Sequence, residues 1–367
     1  MKPRIEFDFQ IFCRQSVGGV SRYFSSLATE LAALQSFDVQ IVAPLHVNDY
    51  LRQVTSVSIY GRALRKPPYS ARVLTLANLF LLRFWRPEGR PDVVHQTFYN
   101  KSHAVIPKCP VITTVHDLIH ELRPNEFSRA DNMEKHKRQA IMRADRVICV
   151  SDYTKKDLIE RYGISEGKLT TIYHGSSLPS VDDNDKLRPI KDPYLLYVGR
   201  RSGYKNFKAA LEALSRLRDA FRDFKLVCFG GRAPTRSELE DMSRLGIPMN
   251  RVIFTSGDDH HLVRYYRHAT ALIFPSLHEG FGLPVLEAMS FGCPVICSSV
   301  TSIPEVGGDA VMYFDPHNVE SIADAFRRTL YDSQMLADLK KRGIDRARLF
   351  SWKKCALETA DVYRSVL

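Results

Sequence analysis

The sequence lacks the features of a membrane-spanning, secreted or disulfide-stabilised protein. None of its apolar runs reaches the roughly 18 residues of a membrane-spanning helix. Glu6 and Asp8 lie where a signal peptide would need apolar side chains. The seven cysteines are odd in number and dispersed, and the nearest pair, Cys293 and Cys297, has no second pair or histidine nearby to complete a zinc site. We therefore expect a mature cytoplasmic protein with reduced thiols.

The composition is that of an ordinary globular protein with an excess of positive charge. The 367 residues suit two domains of usual size. Hydrophobic residues make up 44% and charged residues 25%, which excludes general disorder and fibrous repeats. The net charge of +11 favours an anionic partner, which can be a nucleotide, a nucleic acid or a membrane surface.

Short apolar segments alternate with helical patterns along the whole chain. Such segments are typical of parallel strands that helices cover on both faces. The sequence therefore predicts an α/β protein with two doubly wound, Rossmann-like parallel sheets. The predicted strands are residues 5–9, 39–43, 93–96, 111–115, 146–150, 169–172, 194–198, 225–229, 252–255, 271–274, 295–298 and 310–314.

A polar segment with two prolines, residues 181–193, separates the two predicted sheets and has the composition of a linker. We expect one domain over residues 1–180 and a second over residues 194–350. Residues 351–367 begin with a serine that can cap a helix, and they are predicted to form a final helix. Ligands of open α/β sheets bind beyond the carboxyl ends of the strands, so we expect the chemistry in a cleft between the two domains.

Two motifs follow strands of the first predicted domain. Gly18 and Gly19 open a helix, where backbone N–H groups can approach an anion. They do not form a Gly-x-Gly-x-x-Gly fingerprint, which disfavours a nicotinamide-dependent enzyme. His116 and Asp117 directly follow a strand, and His116 can hydrogen-bond a substrate hydroxyl. A structural histidine beside a helix-capping Asp117 is the alternative.

Two motifs in the second predicted domain carry opposite charges. Arg200 and Lys205 flank a glycine-containing loop, and this pairing suits a diphosphate that gains charge as it departs; a solvated basic loop is the alternative. Glu279 and Glu287 would repel a diphosphate, so sugar or ribose hydroxyls are their natural partners; exposed surface charges are the alternative. The backbone between them can donate N–H groups to phosphate oxygens. These donors belong to Gly280, Phe281, Gly282 and Leu283.

Residues 279–287 have the Glu-x7-Glu pattern of retaining glycosyltransferase family 4, and the chain resembles this family over nearly its whole length. The other matching segments are Gly18-Gly19 and residues 115–117, 150–158, 199–205 and 302–306. The resemblance implies the GT-B fold, in which two Rossmann-like domains enclose a cleft. Further variants resemble bacterial mannosyltransferases of O-antigen and exopolysaccharide assembly. These variants are residues 19–24, 116–121 and 204–207.

The resemblance implies one set of residues for the donor diphosphate and another for the sugar and ribose. The diphosphate set comprises Arg200, Lys205, the backbone of Gly18 and Gly19, and residues 280–283. The other set comprises Glu287 for the ribose hydroxyls, Glu279 for hydroxyls of the transferred sugar and His116 for that sugar's outer hydroxyl. Residues 351–367 would form a helix that crosses back onto the first domain. No metal ion or other cofactor is implied.

Together these features predict a hexosyltransferase that retains the anomeric configuration. The narrower resemblance favours mannose from GDP-mannose, with a saccharide or lipid-linked saccharide as acceptor. A UDP-sugar donor, a nucleotide-sugar hydrolase and an epimerase are alternatives. A nucleic-acid-binding protein is disfavoured because the basic residues are scattered and no binding module is recognised. Because no second nucleophile can be assigned, we expect a same-face reaction through an oxocarbenium-like state rather than a double displacement.

Residues 73–85 are mostly apolar and contain three aromatic side chains between basic flanks. This pattern suits an interfacial segment on an anionic leaflet, and an ordinary core helix is an equal alternative. The sequence thus leaves peripheral contact with the inner face of the cytoplasmic membrane open. The flanking residues are Arg62, Arg65, Lys66, Arg72, Arg86 and Arg90.

Overall fold

A computed structural model describes residues 2–65, 70–99, 108–127, 132–176, 178, 187–217 and 220–367. The chain divides into two compact units, one formed by residues 1–175 with 351–367 and the other by residues 176–350. Each unit has its own parallel sheet and its own hydrophobic core. The predicted α/β class with two Rossmann-like sheets is therefore confirmed. Residues 181–186 of the predicted linker lie outside the described residues.

The first unit contains a seven-stranded sheet in the order β3-β2-β1-β4-β5-β6-β7, with parallel neighbours throughout. Its strands are β1 Arg4–Asp8, β2 Asp38–His46, β3 Ser58–Ala63, β4 Val93–Gln96, β5 Val111–Val115, β6 Arg146–Cys149 and β7 Leu169–Thr171. Its helices are α1 Gly19–Ala33, α2 Ser70–Phe84, α3 Ile119–Leu122, α4 Met133–Arg143, α5 Asp152–Tyr162 and, from the end of the chain, α14 Trp352–Arg364.

Strand β3 is absent from the sequence prediction because it lies at the edge of the sheet. Four of its six residues are exposed, so it lacks the continuous apolar run of a buried strand. Gly61 is required there, since a Cβ atom would lie 1.8 Å from the carbonyl oxygen of Ala43. The register between β2 and β3 shifts between Val42 and Leu45, beside this close approach.

The second unit contains a six-stranded sheet in the order β10-β9-β8-β11-β12-β13, again with parallel neighbours. Its strands are β8 Tyr194–Val198, β9 Lys225–Phe229, β10 Val252–Thr255, β11 Ala271–Phe274, β12 Val295–Ser298 and β13 Met312–Phe314. Its helices are α6 Phe207–Ser215, α7 Ala220–Asp223, α8 Arg236–Arg244, α9 Asp259–His268, α10 Leu283–Ser290, α11 Ile303–Gly307, α12 Val319–Leu330 and α13 Ser333–Ala347.

Each sheet grows outward in one direction and then reverses, and the reversal determines where loops converge. In the second unit the chain runs from β8 to β10, returns to the centre and continues from β11 to β13. Strands β8 and β11 are therefore adjacent, and the loops after them leave the same edge of the sheet. This is the place where open α/β sheets bind ligands.

Helix α14 completes the core of the first unit. Its residues Cys355, Ala356, Ala360 and Tyr363 are buried in that core, and the Ser351 hydroxyl caps its first turn by accepting from the Lys354 N–H at 3.1 Å. Residue 175 must be glycine where the chain meets this helix, because a Cβ atom there would lie 2.3 Å from the Trp352 nitrogen. Across the described residues, no helix is both long and apolar enough to cross a membrane.

Candidate functional site

The loop after β8 is held at both ends by one buried side chain. The Tyr197 hydroxyl hydrogen-bonds the carbonyl oxygens of Arg200 at 2.7 Å and Lys205 at 3.3 Å. Lys205 ends a short turn, after which Asn206 has a positive φ of 55° and turns the chain into α6. The Asn206 side chain donates to the Pro316 carbonyl at 2.9 Å. These contacts fix the backbone that carries both predicted diphosphate ligands.

Lys205 and Glu279 form an ion pair although 74 residues separate them in the sequence. The Lys205 Nζ lies 2.6 Å from the Glu279 Oε1, and only 15% and 13% of the two side chains are exposed. Glu279 is anchored through its backbone, since its N–H donates to Thr301 Oγ1 at 3.1 Å and its carbonyl accepts from Ser302 Oγ at 2.9 Å. The adjacent strands β8 and β11 thus bring a predicted diphosphate ligand and a predicted sugar ligand together.

Arg200 and Arg201 are neighbours in the sequence but have different environments. The Arg201 side chain is 4% exposed and donates to Glu238 Oε1 at 2.8 Å and to the carbonyls of Gly230 at 3.3 Å and Arg232 at 2.5 Å. Arg200 is exposed, and its guanidinium has no hydrogen bond or ion pair to any residue that the structure describes. Arg200 therefore offers a free planar fork to an anion, whereas Arg201 holds the loop in place.

Glu287 lies inside α10 and is buried. The helix begins after Gly282, whose φ of 105° favours glycine, with Pro284 in the first turn. The Glu287 side chain accepts a hydrogen bond from the Tyr266 hydroxyl at 3.1 Å and is 4% exposed. Because the side chain is buried, the alternative of an exposed helix residue is wrong. A buried carboxylate needs hydrogen-bond donors, and Tyr266 supplies one. Tyr266 on α9 is a site residue that the sequence analysis missed.

A cavity of about 720 Å³ lies beside Arg200 in the second unit. Its walls come from α6, α8 and the loop after β9, where Gly230 and Gly231 have φ values of 84° and 80°. Cations and carboxylates both line it, whereas Lys205, Glu279 and Glu287 are not among its lining residues. The charged lining residues are Arg200, Arg201, Lys208, Arg232, Glu238 and Asp241.

In the first unit, His116 lies at the carboxyl end of β5 with one ring nitrogen unpaired. Its Nε2 is buried and has no hydrogen-bond partner in the described part of the chain. Its ring packs edge-on against Tyr23, with 5.0 Å between ring centres. Burial lowers the pKa of His116 to about 4, against an opposing effect of Asp117. The imidazole is therefore neutral near pH 7, and its buried Nε2 can form a hydrogen bond that no described residue supplies.

The residues after His116 rest on a buried ion pair that the sequence analysis missed. Lys137 on α4 is 1% exposed and lies 2.9 Å from Glu121 Oε2 and 2.7 Å from the Asp117 carbonyl. The Tyr162 hydroxyl donates to the other Glu121 oxygen at 2.8 Å. Burial acts to raise the pKa of Asp117, but the Lys137 ammonium and the Ile119 N–H outweigh it and hold that pKa below its usual value.

Aromatic rings connect His116 to α14. The Tyr23 ring lies 4.7 Å from His174 and 5.6 Å from Trp352, measured between ring centres. A second connection runs through His95, whose ring nitrogens lie 2.7 Å from the Tyr363 hydroxyl and 2.8 Å from Thr114 Oγ1, one residue before the end of β5. The end of the chain thus supports the strand that carries His116. Burial lowers the pKa of His95 to about 3.

Gly18 and Gly19 form the start of α1, as the sequence predicts. Gly18 precedes the helix and Gly19 is its first residue. The side chain of Gln15 occupies the space beside Gly18, where a Cβ atom would lie 2.5 Å from the Gln15 Oε1. That oxygen already accepts a hydrogen bond from the Ser21 N–H at 3.2 Å. One of the first N–H groups of α1 is therefore bonded within the protein rather than open to an anion.

The described residues contain no group of three or more histidine, cysteine, aspartate or glutamate side chains arranged to hold a metal ion. Independence from metal ions and other cofactors stays a prediction.

Comparisons with known proteins give the same two-part division. A family model described as "Glycosyltransferase Family 4" matches residues 17–178, and one described as "Glycosyl transferases group 1" matches residues 181–346. O-antigen chain mannosyltransferase B of Escherichia coli is 30% identical, over 94% of this chain and 96% of that protein. The serotype-specific mannosyltransferase WbdA of Escherichia coli is 28% identical over 81% of this chain, which corresponds to 38% of that longer protein.

Solved structures with the same fold cover nearly the whole chain. Sucrose-phosphate synthase from Thermosynechococcus elongatus has a TM-score of 0.78 at 22% identity, with 99% of both chains covered. WaaG, a glycosyltransferase involved in lipopolysaccharide biosynthesis, has a TM-score of 0.72 at 17% identity, with 98% of this chain and 99% of that chain covered. At these identities the likeness shows the fold alone.

Proposed function

Because this chain belongs to glycosyltransferase family 4, we propose that it transfers mannose from GDP-mannose to a saccharide or lipid-linked saccharide acceptor. The product would be part of a cell-surface polysaccharide. The choice of mannose is supported by the names of two similar Escherichia coli proteins, which are both mannosyltransferases. The choice of GDP rests on the resemblance of residues 19–24, 116–121 and 204–207 to bacterial mannosyltransferases.

The observation that carries this proposal is the Lys205–Glu279 ion pair. Arg200 lies on the same loop as Lys205, and its guanidinium has no partner among the residues that the structure describes. A departing nucleoside diphosphate gains negative charge, and Arg200 and Lys205 would stabilise it. Lys205 is already oriented by Glu279 before a donor binds, so little reorganisation is needed. Glu279 has a second carboxylate oxygen for sugar hydroxyls, and Glu287 would accept hydrogen bonds from the ribose.

The geometry of Glu279 favours reaction on one face of the sugar. Its Oε1 is 2.6 Å from the Lys205 ammonium, and a carboxylate engaged by a cation is a weakened nucleophile. We therefore assign Glu279 to binding hydroxyls of the transferred sugar rather than to a covalent intermediate. The leaving diphosphate would take the proton of the acceptor hydroxyl as the new bond forms. Mass spectrometry of the enzyme during turnover should find no sugar attached to Glu279.

A thermal-shift screen of GDP- and UDP-sugars tests the donor assignment. A ligand at 100 times its Kd adds about 2.7 kcal/mol of stability, and a weaker ligand at the same concentration adds less. If GDP-mannose is the donor, it should therefore raise the melting temperature more than UDP-glucose does. The Arg200→Ala variant is the control, since it should reduce this shift. Selective stabilisation by a UDP-sugar would overturn the choice of GDP. Release of free sugar without transfer to any acceptor would favour a hydrolase.

We further propose that the reaction takes place in the cytoplasm, at the inner face of the cytoplasmic membrane. All seven cysteines are free thiols, and six of them are buried, which suits a reducing compartment. Burial raises the pKa of Cys109, the remaining cysteine, to about 11, so this thiol is also unreactive at neutral pH.

A further inference from the structure

Helix α2 has an exposed apolar face. Four side chains on one side of this helix are each about two-thirds exposed, and Trp85, which follows the helix, is 47% exposed. Spacings of three or four residues place the four within an arc of about 80°. We call these five residues the α2 face. They are Val73, Leu76, Phe80, Phe84 and Trp85.

The opposite side of α2 fixes this face outward. Leu74 and Leu82 are buried in the core of the first unit. Asn78 is fully buried, and its side-chain amide pairs with strand β2, accepting from the Leu45 N–H at 2.8 Å and donating to the Leu45 carbonyl at 2.9 Å. The helix cannot rotate to bury the α2 face without breaking these bonds. The core-helix alternative is therefore correct for one side of α2 only.

The charge along α2 and in the segment before it has one sign, whereas the segment after Arg86 also contains Glu88 and Asp92. Residues 61–87 contain six basic and no acidic residues. One of these six, Arg86, forms an ion pair with the buried Glu6 at 3.1 Å. Lys66 lies outside the described residues. Arg72 and Arg83 lie along one margin of the face. The exposed arginines near it are Arg62, Arg65, Arg72, Arg83 and Arg90.

A small groove extends the apolar surface towards the edge of the sheet. It has a volume of about 320 Å³ and lies between Trp85 and strand β3. Pro44, Leu81 and Arg62 contribute to its lining. The apolar surface therefore continues beyond α2 and ends at a basic side chain.

We propose that the α2 face docks on the surface of an anionic lipid bilayer. Aromatic and aliphatic side chains would enter the boundary between headgroups and acyl chains, and the surrounding arginines would bind lipid phosphates. The excess of arginines along α2 and before it favours an anionic bilayer over a protein partner, whose surface would carry charges of both signs. The docking surface itself does not depend on the proposed function. That function is used only to place the surface on the cytoplasmic leaflet of the membrane.

The two tryptophans allow a direct test. Trp85 is half-exposed in the α2 face, whereas Trp352 is buried in the first unit. In a Trp352→Phe variant, the fluorescence therefore reports on Trp85 alone. Vesicles with phosphatidylglycerol should shift this emission to shorter wavelength, and vesicles of phosphatidylcholine alone should shift it much less. Co-sedimentation of the unchanged chain with the same vesicles gives a second measurement that needs no substitution.

Paired variants separate the apolar and the charged contributions. Phe80→Ser with Phe84→Ser should weaken vesicle binding at least tenfold, whereas Leu349→Ser, at an exposed leucine of the second unit, should leave it unchanged. Loss of a basic residue near an anionic surface corresponds to about a fivefold loss of binding. Arg72→Glu with Arg83→Glu should exceed this loss. Arg236→Glu with Arg348→Glu, at two exposed arginines of the second unit, changes the net charge equally and is the matched control.

Three results would overturn the proposal: no binding of the unchanged chain to anionic vesicles, equal binding to neutral and anionic vesicles, or full binding by both α2 variants. High salt should release the chain, because screening weakens the arginine contacts. The vesicle measurements contain no nucleotide sugar, so they test the docking surface independently of the proposed donor. If GDP-mannose fails to stabilise the chain while vesicles still bind, the proposed donor is wrong and the docking surface stands.

Discussion

Replacing Arg201 with alanine should destabilise the second unit, whereas the same change at Arg200 should reduce catalysis and leave stability intact. The Arg201 guanidinium is almost fully buried, pairs with Glu238, donates to two carbonyl oxygens and lies 4.8 Å from the centre of the Phe254 ring. Removing it leaves the carboxylate of Glu238 largely buried without its cation. Breaking such a buried pair costs about 3–5 kcal/mol.

That cost corresponds to a fall in melting temperature of about 6–20 °C for a unit of this size. Arg200 is exposed and its side chain has no partner among the described residues, so Arg200→Ala should change stability by less than about 0.5 kcal/mol. If Arg200 stabilises the leaving diphosphate, its loss should reduce kcat about 100- to 1000-fold. Lys205→Ala should cause a reduction of similar size.

The assay is the release of GDP from GDP-mannose in the presence of acceptor, measured beside thermal unfolding of each variant. Arg200→Lys is a useful control, because it keeps the charge but not the planar fork. A normal turnover in both Arg200→Ala and Lys205→Ala would refute the leaving-group assignment. A stable Arg201→Ala variant without activity would contradict the structural role assigned to Arg201.

Three further predictions concern other residues of the site. Glu287→Gln should weaken donor binding by about 10- to 100-fold, because hydrogen bonds to a charged group are worth about 1.5–3 kcal/mol, and calorimetric titration with GDP should show it; an unchanged Kd would contradict the ribose assignment. Acidification should destabilise the first unit, because the folded pKa is about 4 for His116 and about 3 for His95, against about 6.5 in the unfolded chain. Each neutral ring contributes its full stability above pH 6.5, and this contribution falls by about 1.4 kcal/mol per pH unit as the pH drops towards the folded pKa. Melting temperatures that stay constant from pH 7 to pH 4.5 would contradict the buried neutral imidazole. Gly282→Ala should cost about 1–2 kcal/mol, because φ is 105° at this position, and should weaken GDP binding; a fully stable variant would contradict the strained start of α10.

The sequence predicts the two sheets well because buried parallel strands are continuous apolar runs. All twelve predicted strands agree with the structure to within a few residues, and the last, 310–314, shortens to Met312–Phe314. The pattern fails at β3, where an edge strand exposes most of its side chains. It also leaves α2 ambiguous, because this helix is apolar on both its buried and its exposed side.

The candidate site was predictable where chemistry follows a strand and unpredictable where it depends on distant partners. The sequence predicts Arg200, Lys205 and Glu279 because they follow β8 and β11, but the contact between Lys205 and Glu279 depends on the adjacency of these strands. Lys137 lies in a polar helical segment that looks solvated, and only the fold shows that Glu121 neutralises it. The sequence pattern alone therefore gives no signal for a buried charged residue such as Lys137, whose partner is distant in the chain.

A crystal structure of the chain with bound GDP-mannose tests the central claim most directly. We expect Arg200 and Lys205 within about 3.2 Å of diphosphate oxygens, and Glu287 at hydrogen-bond distance from the ribose hydroxyls. We also expect Glu279 to contact hydroxyls of the mannose. A nucleotide bound away from Arg200, Lys205 and Glu287 would contradict the account.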